Sequence, residues 1–403
     1  MPGPKIPVGP DQITDSWLTQ ALRRGGTLSH ATVSGHSAEP LKVGIGSATI
    51  VRVTLEYDAW EEGAPPSLVA KFRSPRETAE DNETATFLRE PEFYRHFGAG
   101  PEIPVPICYH AEAGELPGAF VLLLEDMSDC RVGTLDGRPE DIELAVGHLA
   151  LFHARWWNSG VTRDTPWLRH VLEPGRGQSM TQVWNQLRRA LLRVRRTFGK
   201  RLPQTCDAAA ERLLSHNLVS SVHAPLTLIH GDYHPAQMFF PLDEPVDEPV
   251  DEPVDEPVDR PVDRPVDRPV DRPVNGPAES AGRFAVIDWE AVHVGNGGED
   301  LARIIALGLT TEQREHGEER LVRLYHEILR EHGVTGYGLD RCWLDFRRGL
   351  LYSVILNVIS GAGIDPSLFQ EAREDVVEFI VEIIFGRLEA ALIAHDILEL
   401  LPP

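Results

Sequence analysis

The sequence predicts an α+β fold with a strand-rich first part and a mainly helical last part. Short apolar runs of strand type occur within the first 125 residues, as in Ile50 to Tyr57 and Phe120 to Leu124. From Glu312 to Leu400 the apolar residues recur instead at helical spacing. A chain of 403 residues has room for about two domains, or for one enzyme of two lobes with an insertion.

Composition and charge exclude several classes of protein. Hydrophobic residues make up 42% of the chain, enough to fill sizeable cores, so overall disorder is excluded. The formal net charge of −23 argues against nonspecific nucleic-acid binding, which needs clustered Lys and Arg. The four cysteines follow no metal-binding spacing, so we expect neither a zinc site nor a disulfide framework, and we expect the reduced cytoplasm as the compartment. We also expect no signal peptide and no membrane span, because neither a basic-then-apolar leader nor a long apolar run occurs.

A low-complexity segment, Asp243 to Val274, consists of four DEPV units followed by four DRPV units. Proline at every fourth position opposes both helix and sheet, so we expect an extended, solvated loop. We favour tandem expansion without a function of its own over a tether for a partner.

Two segments place carboxylates at the ends of apolar strands. His230 to Gln237 (HGDYHPAQ) contains Asp232, and Val286 to Glu290 (VIDWE) contains Asp288. Phosphoryl transfer needs one carboxylate to orient or accept a hydroxyl proton and a second to hold magnesium on the nucleotide. Gln237, five residues after Asp232, can supply a further oxygen to that metal. Either segment alone would carry little weight, because His and Asp at strand ends are mostly turn formers.

Together with GNGGEDLA (Gly295 to Ala302), these segments resemble, in motif and order, the aminoglycoside phosphotransferases, choline kinases and ecdysteroid-kinase-like proteins, relatives of the protein kinases. One position departs from the usual loop of that group, which has Asn where this chain has Gln237. The resemblance runs from about Ile13 to near Leu400, apart from the repeats. It implies a bilobal protein-kinase-like fold, with a nucleotide-binding lobe over residues 1–125 and a catalytic, acceptor-binding lobe over residues 126–403.

The resemblance also implies a reaction, the transfer of the γ-phosphoryl group of ATP to a hydroxyl of a small molecule. Asp232 would act on the hydroxyl proton, while Gln237 and Asp288 would hold Mg²⁺. The acceptor stays open among aminoglycoside-like, choline-like, steroid-like and macrolide-like molecules, and so does the oligomeric state. The alternative is a non-catalytic kinase-fold protein that binds nucleotide or a small molecule, with the repeats as an acidic tether. Gln237 and Pro91 favour that alternative, whereas Lys71, Asp232 and Asp288 together favour the enzyme.

In the first lobe, a glycine-punctuated turn comes before the strand Ile50 to Tyr57 and contains Gly44, Gly46 and Ser47. Glycines let backbone N–H groups approach a phosphate closely, and Lys71 on the next strand can reach its oxygens. Taken alone, glycines before a strand more often form a plain turn. The order of turn, lysine and catalytic loop favours nucleotide binding.

Thr84 to Phe97 is predicted to be a helix that carries a partner for Lys71. By resemblance the partner is Glu90, with Glu92 as the alternative because Pro91 interrupts a helical run. The pair would hold the lysine toward the phosphates. Leu124 ends an apolar strand that resembles the hinge beside the adenine of kinases.

Three further polar residues lie within the motifs HGDYHPAQ and GNGGEDLA. We expect His230 to brace the loop, and a zinc site built from His230 and His234 is the competing interpretation. Asp300 resembles the aspartate that bonds the backbone of the catalytic loop, and a simple helix cap is the alternative.

Other helices are predicted over Asp11 to Arg24, Ile142 to Trp157 and Gln182 to Arg201. The last of these is strongly basic. We favour a solvated helix paired with acids elsewhere over an anion-binding site.

Overall fold

The structure is a computed structural model. It describes residues 6–41, 48–74, 89–98, 104–114, 118–135, 137–161, 165, 167–168, 179–218, 224–242, 283–367 and 373–402. The repeats and the turn with Gly44, Gly46 and Ser47 lie outside the described residues, so the predictions made for them stay predictions.

An antiparallel sheet of five strands forms the first lobe, in the spatial order β1-β2-β3-β5-β4. Lys71 lies in the central strand, opposite Ile50 on one side and Leu122 on the other. The strands are β1 (Val33–Pro40), β2 (Thr49–Tyr57), β3 (Ser67–Arg73), β4 (Cys108–Ala113) and β5 (Phe120–Glu125).

Helix α1 (Asp15–Arg24) packs on one face of this sheet through Trp17, Leu18 and Leu22, which are buried with Val51 and Val53. The helix begins four residues later than the sequence predicts. Thr14 is its N-cap, since the Thr14 side chain accepts a hydrogen bond from the Trp17 amide. The preceding residues, Pro10–Gln12, form a separate 3₁₀ turn.

The opposite face of the sheet contributes Phe120, Leu122 and Leu124 to a second, larger core. Helix α2 (Arg89–His96) packs there through Phe93. The two-lobed α+β fold predicted from the sequence is therefore confirmed, with the sheet between α1 and the helical part.

The second lobe is mainly helical, with two small sheets, β7-β10 and β6-β8-β9, that hold the loops described below. Helix α6 packs on α8, and α3 packs on α7. The strands are β6 (Arg131–Val132), β7 (Thr227–Ile229), β8 (Met238–Phe240), β9 (Ala285–Val286) and β10 (His293–Gly295). The helices are α3 (Pro139–Trp156), α4 (Met180–Phe198), α5 (Gln204–Ser215), α6 (Gly298–Gly308), α7 (Thr311–Glu331), α8 (Leu339–Ala362), α9 (Glu374–Val381) and α10 (Arg387–Ala394).

A π-helical turn, Glu382–Gly386, joins α9 directly to α10. Such turns are rare and occur frequently at functional sites. No helix among the described residues is long and apolar enough to cross a membrane.

The basic helix α4 is paired with acids, as the favoured interpretation predicts. Arg195 contacts both Asp207 and Glu211 on α5. Just after the helix, Arg201 pairs with Glu374 at the start of α9. Ion pairs within the protein therefore account for part of the positive charge of α4.

Candidate active site

The segment after β7 turns sharply at Gly231, whose φ of +86° lies in the left-handed region. A Cβ atom there would lie 2.4 Å from the carbonyl oxygen of Ala291, so the turn accepts only glycine. The chain then passes through a 3₁₀ turn, Pro235–Gln237, and enters β8. This turn presents Asp232 at the end of the strand, as predicted.

His230 braces the loop with both ring nitrogens. Nε2 donates to the carbonyl oxygen of Ile287 at 2.9 Å, and Nδ1 accepts from the Asp232 amide at 3.2 Å. Burial lowers the pKa of His230, so the neutral ring is favoured. The zinc interpretation loses its main ligand, and the described part of the chain contains no group of three or more His, Cys, Asp or Glu suited to a metal.

Asp300 lies in the first turn of α6 and is fully buried. Its carboxylate accepts hydrogen bonds from the backbone amides of His230 at 2.6 Å and Gly231 at 2.9 Å. Burial alone would raise the pKa of Asp300, but His153 and the loop groups more than offset this and keep it below its usual value. Asp300 therefore binds the backbone of the loop at His230 and Gly231, as the resemblance implies, and Gly297 takes the N-cap position.

Asp288 follows β9 in a left-handed conformation, with φ of 66° and ψ of 57°. Its Oδ1 lies 2.8 Å from Lys71 Nζ, and its Oδ2 accepts a hydrogen bond from Gln237 Nε2 at 2.9 Å. Burial would raise the pKa of Asp288, but the Lys71 ammonium holds it below its usual range. Both carboxylate oxygens are thus engaged by side chains from other segments.

Lys71 also contacts Glu90, with 2.6 Å between Nζ and Oε2. Glu90 is 1% exposed, and Pro91 does not prevent the contact because α2 continues through it. Glu92, the alternative partner, pairs with Arg95 instead. Burial raises the pKa of Glu90 to about 7 despite the neighbouring Lys71, which it shares with Asp288.

Asp232 pairs with Arg303 of α6, a residue that the sequence analysis missed. The Arg303 Nε atom lies 2.5 Å from Asp232 Oδ1, and His234 Nε2 lies 3.5 Å from Oδ2. Burial opposes ionisation, yet Arg303 and then His234 hold the pKa of Asp232 well below its usual value. A signal was available, since Arg303 follows Asp300 by three residues and therefore lies on the same side of the helix.

Leu124 is buried on β5 opposite Val69, two residues from Lys71 along β3. The next residue, Glu125, accepts a hydrogen bond from the Ile107 amide. The structure thus places the predicted hinge strand beside the strand that carries Lys71.

The fold resembles that of known small-molecule kinases. The choline kinase from Cryptosporidium parvum Iowa II aligns with a TM-score of 0.51 and 10% identity, covering 96% of this chain and 98% of the kinase. Amicoumacin kinase hAmiN, solved with AMP-PNP, Ca²⁺ and Ami, aligns with a TM-score of 0.48 and 11% identity, covering 92% of this chain and 93% of that kinase. Spectinomycin phosphotransferase APH(9)-Ia, solved with ADP and spectinomycin, aligns with a TM-score of 0.43 and 12% identity, covering 96% of this chain and 99% of that enzyme.

At the level of sequence the likeness is local. The family model DUF1679, described as "Uncharacterized oxidoreductase dhs-27", matches residues 279–337, which include Asp288 and Asp300. A comparison with curated proteins gives no match. The chain therefore has the protein-kinase-like, bilobal fold of the choline kinase, and the predicted resemblance is confirmed for the fold.

Proposed function

We propose that this protein is an ATP-dependent phosphotransferase that acts on a hydroxyl of a small molecule. One observation carries the proposal: Lys71 bridges Glu90 and Asp288, and Gln237 contacts the other oxygen of Asp288. These four residues come from four separate segments of the chain. A purely structural role would not require a partly buried lysine between two carboxylates at the junction of the sheet and the catalytic loop.

In the proposed reaction the acceptor hydroxyl oxygen forms a bond to the γ-phosphorus of ATP. The bond from that phosphorus to the β-phosphate oxygen breaks, ADP leaves, and the hydroxyl proton passes to Asp232. Lys71, held by Glu90, would bind phosphate oxygens. The backbone of the turn with Gly44, Gly46 and Ser47 would cover the phosphates, and the strand end at Leu124 would lie by the adenine.

The donor set fits magnesium. Mg²⁺ prefers oxygen ligands and is usually held by one or two carboxylates together with phosphates of the substrate. Asp288 supplies a carboxylate, and Gln237 supplies an amide oxygen once its side chain turns over, since its NH₂ group now faces Asp288. The ion, when bound, would neutralise charge on the phosphates.

The remaining predictions complete the proposal. The nucleotide-binding lobe would span residues 1–125 and the acceptor-binding lobe residues 126–403, with the repeats inserted between β8 and β9. The acceptor would be an aminoglycoside-like, choline-like or steroid-like alcohol, and the cytoplasm would be the compartment.

A non-catalytic binding protein is the second candidate, and one observation favours it. Both oxygens of Asp288 are occupied, one by the ammonium of Lys71 and the other by the amide of Gln237. Each oxygen keeps a lone pair for a metal, but a metal cation on Asp288 would repel the Lys71 ammonium 2.8 Å away, so metal binding would weaken or exchange that contact. A kinase fold that binds a ligand without turnover would need no such exchange.

Release of ADP, measured with ATP, magnesium and a panel of hydroxyl compounds, separates the two candidates. If Asp232 serves the acceptor hydroxyl, Asp232→Asn should lower kcat by a factor on the order of 10² with ATP affinity little changed. Asp375→Asn, which alters an exposed carboxylate that pairs with nearby Arg373, is the matched control. ATP binding in the wild type without acceptor-dependent ADP release above the Asp232→Asn background would favour the binding protein.

A further inference from the structure

A series of buried and partly buried polar contacts leads from Asp232 to the π-helical turn. Arg303 holds Asp232 through Nε at 2.5 Å and donates through Nη1 to Asn357 Oδ1 at 3.1 Å. Asn357, on α8, donates through Nδ2 to the backbone carbonyl of Ile384 in the π-helical turn. Arg303 is 5% exposed and Asn357 is 3% exposed, so water contributes little to holding either side chain.

Each contact in this series restricts the next. The amide of Asn357 uses its oxygen and its nitrogen at once, so turning it over would lose both hydrogen bonds. The guanidinium of Arg303 is a rigid planar fork, so fixing Nη1 also fixes the direction of Nε. As a result one oxygen of Asp232 is held in place from α6, α8 and the turn after α9.

We propose that Arg303, held by Asn357 and the π-helical turn, is a positioning residue of the phosphoryl transfer. It fixes Oδ1 of Asp232 so that Oδ2 is presented to the acceptor hydroxyl. This inference rests on the proposed function, because it gives Arg303 a role in that reaction. Arg303 acts through Asp232 and is not itself a catalytic residue.

The position of Arg303 affects how readily Asp232 accepts a proton. With a permanent cation at 2.5 Å, Asp232 stays ionised and is a weak proton acceptor. Transfer of a phosphoryl group through a loose transition state depends more on positioning and charge than on early proton removal. A strongly held, weakly basic carboxylate therefore suits this reaction.

The titratable and charged groups that influence Asp232 are Arg303 from α6, His230 and His234 from its own loop, Asp288 and Glu290 after β9, and Tyr352 from α8. Burial favours the protonated acid, and Arg303 is the largest influence against it. Removing the guanidinium should therefore raise the pKa of Asp232 by about 1–3 units, the usual effect of an adjacent opposite charge.

The test compares Arg303→Met, Arg303→Lys and the wild type in pH profiles of kcat/KM with ATP and the acceptor that the panel yields. In the wild type the pKa of Asp232 lies well below its usual value, so the acidic limb that Asp232 causes falls at the acid end of the profile. Arg303→Met should move that limb upward by about 1–3 pH units, toward the usual range of Asp. Arg303→Lys keeps the charge but loses the fork, so its limb should stay within about half a unit of the wild type while kcat falls. Arg195→Met removes a guanidinium held at 2.6 Å from Asp207 and should leave the limb unchanged. An Arg303→Met enzyme that keeps the kcat of the wild type overturns the proposal.

Asn357→Ala provides a second arm if Arg303→Met does not fold. It keeps Arg303 but frees its Nη1 end, so kcat should fall while the acidic limb stays in place. Unchanged kcat in that variant would also overturn the proposal.

A third measurement needs no turnover and separates this inference from the proposed function. The melting-temperature loss caused by Arg303→Met should be full above about pH 4, the pKa of Asp in an unfolded chain, because Asp232 is ionised there and Arg303 holds it in the wild type. It should shrink as the pH falls below about 4 toward the lowered pKa of Asp232, because the protonated acid no longer attracts the guanidinium. In an Asp232→Asn background this pH dependence should vanish. If it persists there, Arg303 does not act through Asp232. If it vanishes but no acceptor supports ADP release, the contact stands and the proposed function fails.

Discussion

Replacing Asp300 by Asn should loosen the loop at His230 and Gly231 while leaving the two lobes folded. The carboxylate of Asp300 accepts backbone hydrogen bonds from His230 at 2.6 Å and Gly231 at 2.9 Å, in a fully buried position. Asn has one acceptor oxygen, so it can serve one of these amides and presents its own N–H groups to the other. A buried N–H group that loses its partner costs about 1–3 kcal/mol. We take about 2 kcal/mol for the opening of this loop, which makes the open state roughly 30-fold more populated.

Amide hydrogen exchange followed by mass spectrometry measures this opening directly. Peptides that cover residues 226–233 should exchange about 30-fold faster in Asp300→Asn than in the wild type, because exchange through local opening follows the free energy of that opening. Peptides from the five-stranded sheet should not change. Asp375→Asn is the matched control, since that carboxylate is exposed. If the loop peptides exchange at the wild-type rate in Asp300→Asn, the two hydrogen bonds do not hold the loop and our account of Asp300 is wrong.

Three further predictions concern the metal site and the insertion. Asp288→Asn should abolish magnesium-dependent ATP turnover while the melting temperature stays near that of the wild type, and undiminished turnover would remove Asp288 from the metal site. Gln237→Asn should retain or raise turnover, since it keeps the amide oxygen on a shorter side chain; complete loss would show a role for Gln237 other than metal binding. Replacing Asp243 to Val274 by a short Gly/Asn turn should leave kcat within a few-fold, because loop closure costs little more for long loops than for short ones. In the intact protein the amides of that segment should exchange at nearly the unprotected rate, and strong protection there would show that it packs.

The residues that the sequence located correctly are those tied to strand ends. Asp232, Gln237 and Asp288 each lie next to a short apolar strand, so their segment alone determines where they are presented. The contact between Lys71 and Glu90 was also expected, although it joins a strand and a helix, because the family resemblance supplied the pairing. The roles of these residues toward nucleotide and metal stay predictions.

Arg303 and Asn357 could not be found in the same way. They are 54 residues apart, on helices α6 and α8, and each looks like a polar interruption in an apolar helix. Only the packing of α6 on α8 brings them together and turns Arg303 toward Asp232. The sequence also could not show which way the Gln237 amide points. Its NH₂ group faces one oxygen of Asp288, whose other oxygen contacts Lys71.

The left-handed backbone of Asp288 costs conformational free energy, which the contacts of its carboxylate have to offset. For residues other than glycine this conformation is strained, at roughly 1–3 kcal/mol in general and less for Asp and Asn, which adopt it more readily than other side chains. Glycine would relieve that strain but would also take one carboxylate away from Lys71, so the two effects on stability oppose each other. In this conformation the carboxylate lies 2.8 Å from Lys71 of the first lobe, so the local strain accompanies a contact that joins the two lobes.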